Sequence, residues 1–271
     1  MKEDGMHTVT SADGTRIAYE RDGSGPLVVF LGGAFNDRTA CAPVAAVLRD
    51  RYTVVCVDRR GRGDSGDAIP PHQAATYRVE REVEDLNAVL AAEGGPAAVF
   101  GFSSGGILAL HAAAAGAAIT RVALYEPPFA LGGLAGSARD LAGKLAALIG
   151  DGRRGDAVAT MQIEGIGLPP EAVEQIRRSP MWPQLEAVAQ SLVYDATLTA
   201  APNLPTAAMR ALDLDVLVLS GSETWPGLRE AARALPAHLA RARYAEVPGG
   251  AGHGIPAEAT AKVLDEFLGG K

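Results

Sequence analysis

Apolar residues in this chain come in two rhythms, short unbroken runs and longer stretches at helical spacing, and the two alternate along most of its length. His7 to Thr10 and Arg16 to Glu20 alternate around Ala12-Asp13-Gly14, which predicts an N-terminal hairpin. Pro26 to Leu31 is a continuous apolar run of the kind buried on both faces of a parallel sheet, and it ends in Gly32-Gly33. A helix is predicted from Thr39 to Arg49 and another buried strand from Tyr52 to Val57. Val79, Val83, Leu86, Val89 and Leu90 recur at helical spacing within Tyr77 to Ala92. Pro96 to Phe100 reads as a strand, Ile107 to Ala115 as a helix rich in Ala and Leu, and Arg121 to Tyr125 as a further strand.

After Pro127 the rhythm changes. Up to Leu212 no buried strand is evident, and helical pieces are broken by Pro169-Pro170, Pro180, Pro183, Pro202 and Pro205. A segment of this length is too long for a plain connection and reads as a helical insertion over residues 128–212. The strand and helix rhythm then resumes with Val216 to Ser220, Leu228 to Leu235, Ala242 to Val247 and Ala257 to Leu268. Strands alternating with helices in this way imply right-handed parallel crossovers and a doubly wound α/β sheet. The expected organisation is a core of residues 1–127 and 213–271 with the insertion as a cap.

Composition narrows the function classes. A hydrophobic fraction of 48% over 271 residues is ample for a large core, and 21% charged residues argue against disorder. The net charge of −7 gives no support to nucleic-acid binding. Arg59-Arg60-Gly61-Arg62 is the one basic run, balanced by Asp58, Asp64 and Asp67, and reads as a structured turn. The two cysteines, Cys41 and Cys56, read as small buried hydrophobes, and no Cys/His cluster has zinc spacing. The polar, acidic Met1-Lys2-Glu3-Asp4-Gly5 does not resemble a signal peptide, and no apolar run reaches the ~18–20 residues needed to cross a bilayer. These features lead us to expect a soluble cytoplasmic protein with a small-molecule partner, neither nucleic acid nor membrane; they leave the oligomeric state open.

Chemistry concentrates at Gly101-Phe102-Ser103-Ser104-Gly105, a G-x-S-x-G between a predicted strand and a predicted helix. A serine there sits on a sharp turn that exposes its hydroxyl over the end of the sheet, and the flanking glycines allow the close approach that turn needs. A serine hydroxyl is a poor nucleophile without a base. His7 lies on the hairpin, His72 in a loop, His111 two turns into the helix after Ser103, and His238 late in a surface helix. His253 lies in Gly249-Gly250-Ala251-Gly252-His253-Gly254, directly after the last strand. In a doubly wound sheet that loop shares the carboxyl edge with Ser103, so His253 is the expected base.

With these pieces in place, the chain resembles the α/β-hydrolase superfamily over essentially its whole length. The resemblance rests on Leu31-Gly32-Gly33, on Asp58-Arg59-Arg60-Gly61-Arg62-Gly63-Asp64-Ser65, on the Gly101–Gly105 elbow and on Gly252-His253-Gly254, in this order and spacing. It implies an oxyanion hole of backbone N–H groups from Ala34 and Ser104, with Gly32-Gly33 standing where the family commonly has His-Gly. It also implies a third member, an acid. The common place after the seventh strand holds Gly221-Ser222-Glu223-Thr224, with Thr224 at the usual position and Glu223 one residue early. Some relatives carry the acid after the sixth strand, where Glu126 follows Ser103 by 23 residues. Glu126 is the favoured acid and Glu223 the alternative.

The resemblance implies a serine hydrolase acting on a carboxylic ester, lactone or thioester of a small to medium apolar substrate, with no metal or organic cofactor. A serine at this position argues against the dehalogenase and epoxide-hydrolase branches, which use Asp. The expected apolar wall comprises Phe35, Phe102, Phe129 and Trp182, with Met181, Pro183, Leu185 and Leu192 as further contributors. Acyl transfer, elimination or cyclisation on the same Ser-His pair, or a ligand sensor with little turnover, are the rival readings.

Overall fold

The alternation read from the chain becomes one eight-stranded sheet in the computed structural model, which describes residues 4–134 and 140–270. The N-terminal Met1–Glu3 and the part of the insertion at 135–139 lie outside the described residues. The strands are β1 (Gly5–Thr10), β2 (Arg16–Asp22), β3 (Leu27–Leu31), β4 (Thr53–Val57), β5 (Ala97–Phe102), β6 (Ile119–Tyr125), β7 (Asp215–Gly221) and β8 (Ala242–Val247). They lie in the order β1-β2-β4-β3-β5-β6-β7-β8. Only β1 with β2 and β2 with β4 pair antiparallel; every pairing from β4 to β8 is parallel. The carboxyl ends of β3, β5, β6, β7 and β8 therefore open onto one edge.

Side-chain alternation along the buried strands builds two separate core layers. Val29, Leu31, Val99, Val122, Leu124, Val216 and Val218 face helices α2 (Val79–Ala92), α3 (Ser104–Ala114) and α10 (Pro226–Ala234). Val28, Phe30, Phe100, Leu217 and Leu219 face α1 (Ala42–Leu48) and α11 (Ala257–Gly269). Because both faces are covered, these strands carry unbroken apolar runs rather than a half-polar pattern.

Between β6 and β7 the chain forms α4 (Leu141–Gly150), α5 (Arg154–Thr160), a π-helical turn (Met161–Ile166), α6 (Pro170–Arg177), α7 (Trp182–Ala187), α8 (Ser191–Leu198) and α9 (Ala207–Arg210). Among the described residues of this insertion there is no strand. Leu141, Leu145, Ile149, Val158, Met161, Leu192 and Val193 form its own apolar cluster. Its last part returns to the main core through Leu198 and Met209. Among the described residues no helix is long and apolar enough to cross a membrane.

Element boundaries depart from the predicted ones in three informative places. The helix expected from Thr39 splits into a 3-10 turn (Arg38–Ala40) and α1, with Pro43 in the first turn of the restart. Strand β5 runs on to Phe102, and α3 begins at Ser104, three residues earlier than its apolar periodicity indicated. His238 ends a 3-10 turn (Leu235–His238) beyond α10.

Candidate active site

Ser103 stands alone between β5 and α3, with φ 53° and ψ −124°. Such a conformation costs a non-glycine residue about 1–3 kcal/mol and persists only where its surroundings enforce it. Here the Ser103 N–H donates to the Tyr125 carbonyl at 2.9 Å, and the Gly106 N–H donates to the Ser103 carbonyl at 2.9 Å. A Cβ on Gly101 would lie 2.5 Å from both the Gly105 carbonyl oxygen and Gly106 Cα, so only glycine lets strand and helix close into this turn.

Glu126 is the residue directly after β6 and is fully buried. Its N–H donates to the Leu219 carbonyl at 2.9 Å, tying it to the end of the neighbouring β7. A buried carboxylate needs compensating donors. Oε1 accepts from the Gly221 N–H at 2.8 Å, and Oε2 accepts from the Thr224 hydroxyl at 2.9 Å. His253 Nδ1 lies 2.5 Å from the same Oε2. The Tyr125 hydroxyl donates to the Gly254 carbonyl at 3.0 Å, anchoring the loop that carries His253. The imidazole packs against the rings of Phe102 (centroids 4.7 Å apart) and Trp225 (5.9 Å, stacked). Glu223 is exposed; its N–H donates to the Gly249 carbonyl at 3.0 Å, and the carboxylate beside His253 is that of Glu126.

Six non-glycine residues among those described have positive φ: Phe35, Ser103, Glu126, Asp140, Asn203 and His253. Ser103, His253 and Asn203 line one cavity, Glu126 is bonded to His253, and Phe35 lies between the cavity residues Ala34 and Asn36. Strain is thus concentrated where a reacting group would bind.

The turn after β3 forms the opposite wall. Gly33 approaches the serine so closely that a Cβ there would stand 2.7 Å from Ser103 Cβ. Beneath this turn, the basic run is a buried structured turn. The Arg59 guanidinium donates to the Gly32 carbonyl (3.2 Å), to Ser104 Oγ (3.1 Å), to Asp195 (3.0 Å) and, through two nitrogens, to Glu82 (3.0 and 2.5 Å). Arg62 donates to the Gly33 carbonyl at 2.5 Å and to Asp195 at 2.8 Å, while Ser104 Oγ donates to Asp195 at 2.7 Å. Burial opposes ionisation of Asp195, but the Arg62 and Arg59 charges and the Ser104 bond outweigh it and hold its carboxyl below the usual range. Arg60 points elsewhere, to Asp85 and Asp13. Burial pushes the Cys56 thiol up to about 12 and Cys41 also upward, so neither is a nucleophile here.

Ser103 and His253 open into a cavity of about 460 Å³, within the range of small-molecule sites. Ala34 and Ser104 line it beside them, whereas His7, His72, His111 and His238 do not. Of the expected apolar wall, Phe102 is present. Phe35 packs against the insertion's cluster, and Phe129, only 2% exposed, is consumed by the main core. Trp182 is held inside the insertion by an indole hydrogen bond to Glu186 (2.9 Å) and by the Arg177 guanidinium over its ring. Leu185 and Leu192 belong to the same cluster, and Met181 is exposed. The wall is built instead by Pro128, Leu134, Met161, Ile166, Trp225 and Leu228. Its polar members include Asn36, whose buried Oδ1 has no hydrogen-bond partner among the described residues. Sequence reasoning missed Thr224 as a partner of Glu126, and it missed Asp195. The available signal for Asp195 was a carboxylate inside the apolar run Leu192-Val193-Tyr194-Asp195-Ala196, which demands a buried cation.

Comparison with known proteins agrees with this fold. The alpha/beta hydrolase family matches residues 28–266. An alpha/beta hydrolase of known crystal structure from Sphaerobacter thermophilus DSM 20745 is 45% identical, with a TM-score of 0.86 over 97% of this chain and 100% of that one. The enol-lactonase from Burkholderia xenovorans LB400 is 25% identical, with a TM-score of 0.66 over 97% of this chain and 100% of that one. The uncharacterized hydrolase YraK of Bacillus subtilis (strain 168) is 40% identical over 98 residues, 36% of this chain and only about a third, 35%, of YraK. With the fold, the helical insertion after β6 and a family match spanning residues 28–266, the chain belongs to the alpha/beta hydrolase family.

Proposed function

We propose that this enzyme is a serine hydrolase that cleaves a carboxylic ester, lactone or thioester through an acyl-enzyme, with Ser103 as nucleophile, His253 as base and Glu126 as the acid. The observation that carries this reading is the His253 Nδ1–Glu126 Oε2 bond of 2.5 Å, which holds the imidazole in the wall of the cavity that the strained Ser103 also lines. With Nδ1 engaged by a carboxylate, Nε2 is the nitrogen left unprotonated to accept the serine proton. Ser103 Oγ then attacks the acyl carbon, and the developing oxyanion is met by the N–H groups of Ala34 and Ser104. His253 returns its proton to the leaving group. Water enters, and His253 takes one of its protons as the water oxygen attacks the acyl carbon. His253 then passes that proton to Ser103 Oγ as the C–Oγ bond breaks and the acyl group leaves as a carboxylic acid.

The substrate class follows from the cavity. Its walls of Phe102, Leu134, Met161, Ile166 and Trp225 suit an apolar acyl or alcohol part, and its volume suits a small to medium molecule. The enol-lactonase relationship supports an oxygen ester within this class. A test is turnover of a p-nitrophenyl ester series and a lactone, with fluorophosphonate labelling of the wild type and of Ser103→Ala. Turnover and labelling that both vanish in Ser103→Ala are expected. A wild type that neither labels nor turns over, or a Ser103→Ala enzyme equal to it, overturns the proposal.

A further inference from the structure

Peptide geometry connects the buried arginines to the catalytic wall. In a trans peptide unit the carbonyl of one residue and the N–H of the next are coplanar and point in opposite directions. The Gly33 carbonyl is held at 2.5 Å by Arg62, so the N–H of the same unit, that of Ala34, points away from Arg62, and Ala34 lines the cavity. The preceding carbonyl, that of Gly32, is held at 3.2 Å by Arg59. Arg59 also grips the side chain of Ser104, whose N–H is the other proposed donor. One residue completes all of this. Asp195 binds Arg59, Arg62 and Ser104 Oγ together, and it comes from α8 of the insertion, 133 residues along the chain from Arg62.

We infer that Asp195 is a positioning residue for the oxyanion hole, a strut through which the cap sets the direction of the Ala34 and Ser104 N–H groups. The inference rests on the hydrolase reading above. Its physical basis is that a guanidinium left to itself has several rotamers, whereas Arg62 shared between a carbonyl and a carboxylate has one. The surroundings are electrically balanced: two guanidiniums, Arg59 and Arg62, face two carboxylates, Glu82 and Asp195, all buried. Where the family commonly braces this turn with the side chain of a histidine, Gly32 has none, and the arginines grip the turn's carbonyls from below.

A misaligned hole weakens binding of the transition state and leaves ground-state binding alone. The test uses the full-length enzyme, with p-nitrophenyl butyrate as substrate and an alkyl trifluoromethyl ketone, which forms a tetrahedral oxyanion on Ser103, as probe. Removing one oxyanion donor outright lowers kcat by about 10²–10³, so misalignment in Asp195→Asn should lower it by about 10- to 100-fold. KM should stay within about threefold, and the ketone inhibition constant should rise by the same factor as kcat/KM falls. Arg62→Lys keeps the charge but cannot span Gly33 and Asp195 as a fork, and it serves as the second variant should Asp195→Asn fail to fold. It should show the same split. If the wild type turns over but the folded variants keep kcat, or raise KM with an unchanged ketone constant, this inference fails alone. A wild type without turnover or Ser103 labelling removes the hydrolase reading and this inference with it.

Discussion

Replacing Glu126 by glutamine isolates the role of the acid with almost no change of shape. The structure dictates how the amide must lie. The Gly221 N–H, 2.8 Å from Oε1, needs an acceptor, so the amide oxygen takes that side. The amide nitrogen then faces Thr224 Oγ1 and His253 Nδ1. Thr224 can turn its hydroxyl to accept, but Nδ1 can satisfy an N–H donor only by giving up its own proton. That moves the imidazole proton to Nε2, where it blocks acceptance of the Ser103 proton. The corresponding change in a Ser-His-Asp triad lowers kcat by about 10⁴. At about 1.36 kcal/mol per tenfold this is about 5.4 kcal/mol of lost transition-state stabilisation. The fold should lose far less, because the Gly221 bond survives in neutral form; about 1–2 kcal/mol is the expected range for weakened bonds to a formerly charged group. The assay is kcat for p-nitrophenyl butyrate at neutral pH, with a urea melt of each variant. Glu223→Gln is the control, since that side chain is exposed. A Glu126→Gln enzyme that keeps more than about a tenth of wild-type kcat, or a Glu223→Gln enzyme that loses as much, would refute the reasoning.

Thr224→Val removes the hydroxyl that donates to Glu126 Oε2 at 2.9 Å and should cost about 1 kcal/mol in a urea melt, with a fall in kcat of severalfold; an unchanged kcat would show that His253 alone orients the acid. Gly33→Ala places a Cβ 2.7 Å from Ser103 Cβ and 3.2 Å from the Phe102 carbonyl oxygen, neither of which can swing aside. Its kcat should fall by at least about tenfold through displacement of the Ala34 donor, and full activity would refute the close approach. The Asp13 carboxyl is lowered from 3.8 to about 2: burial works against ionisation, but hydrogen bonds from Arg60 and Thr15 outweigh it. A folded pKa below the unfolded one adds stability above the unfolded value that is lost as pH falls through the folded one. Wild type should therefore be more stable than Asp13→Asn near neutrality, with the gap closing as pH falls from about 4 to about 2; a pH-independent gap would contradict the Arg60 pairing.

The sheet was legible because both of its faces are covered. Residues 27–31, 53–57, 97–100, 121–125 and 216–220 are apolar at nearly every position, a pattern that only a doubly covered parallel strand requires. The elbow's edges were not, because Gly101 and Phe102 stay in the strand while Gly105 and Gly106 enter the helix against their propensity; packing of α3 against the strands overrides it. The cavity wall was misread for a related reason. Large aromatics such as Phe129 and Trp182 are as useful to a core as to a pocket, and here the cores took them. The true wall includes Met161 and Ile166 from a π-helical turn, a conformation with no sequence periodicity to betray it. The Arg59–Arg62–Asp195 strut joins residues 133 to 136 positions apart, and no local pattern reports such a pairing.

The proposed acid at Glu126 illustrates how a parallel sheet can tolerate such a relocation. β6 and β7 are hydrogen-bonded neighbours in register, with Tyr125 opposite Leu219, so the residue after Tyr125 begins beside Ser220, one residue before the end of β7. Neighbouring strands lie about 4.7–4.9 Å apart, a distance comparable to the reach of a glutamate side chain. Glu126, turned by its positive φ and tied to the Leu219 carbonyl, carries its carboxylate over that gap to the Gly221 N–H and the Thr224 hydroxyl. Thr224, standing where the family commonly places the acid, supplies a donor to a carboxylate instead. A shorter aspartate at 126 lacks one methylene of that reach, and an acid at 224 would set a second negative charge against Glu126. The Glu126 and Thr224 identities therefore belong together: exchanging Glu126 alone should remove the His253 contact, exchanging Thr224 alone should loosen it, and a carboxylate at 224 is accommodated only with an uncharged residue at 126.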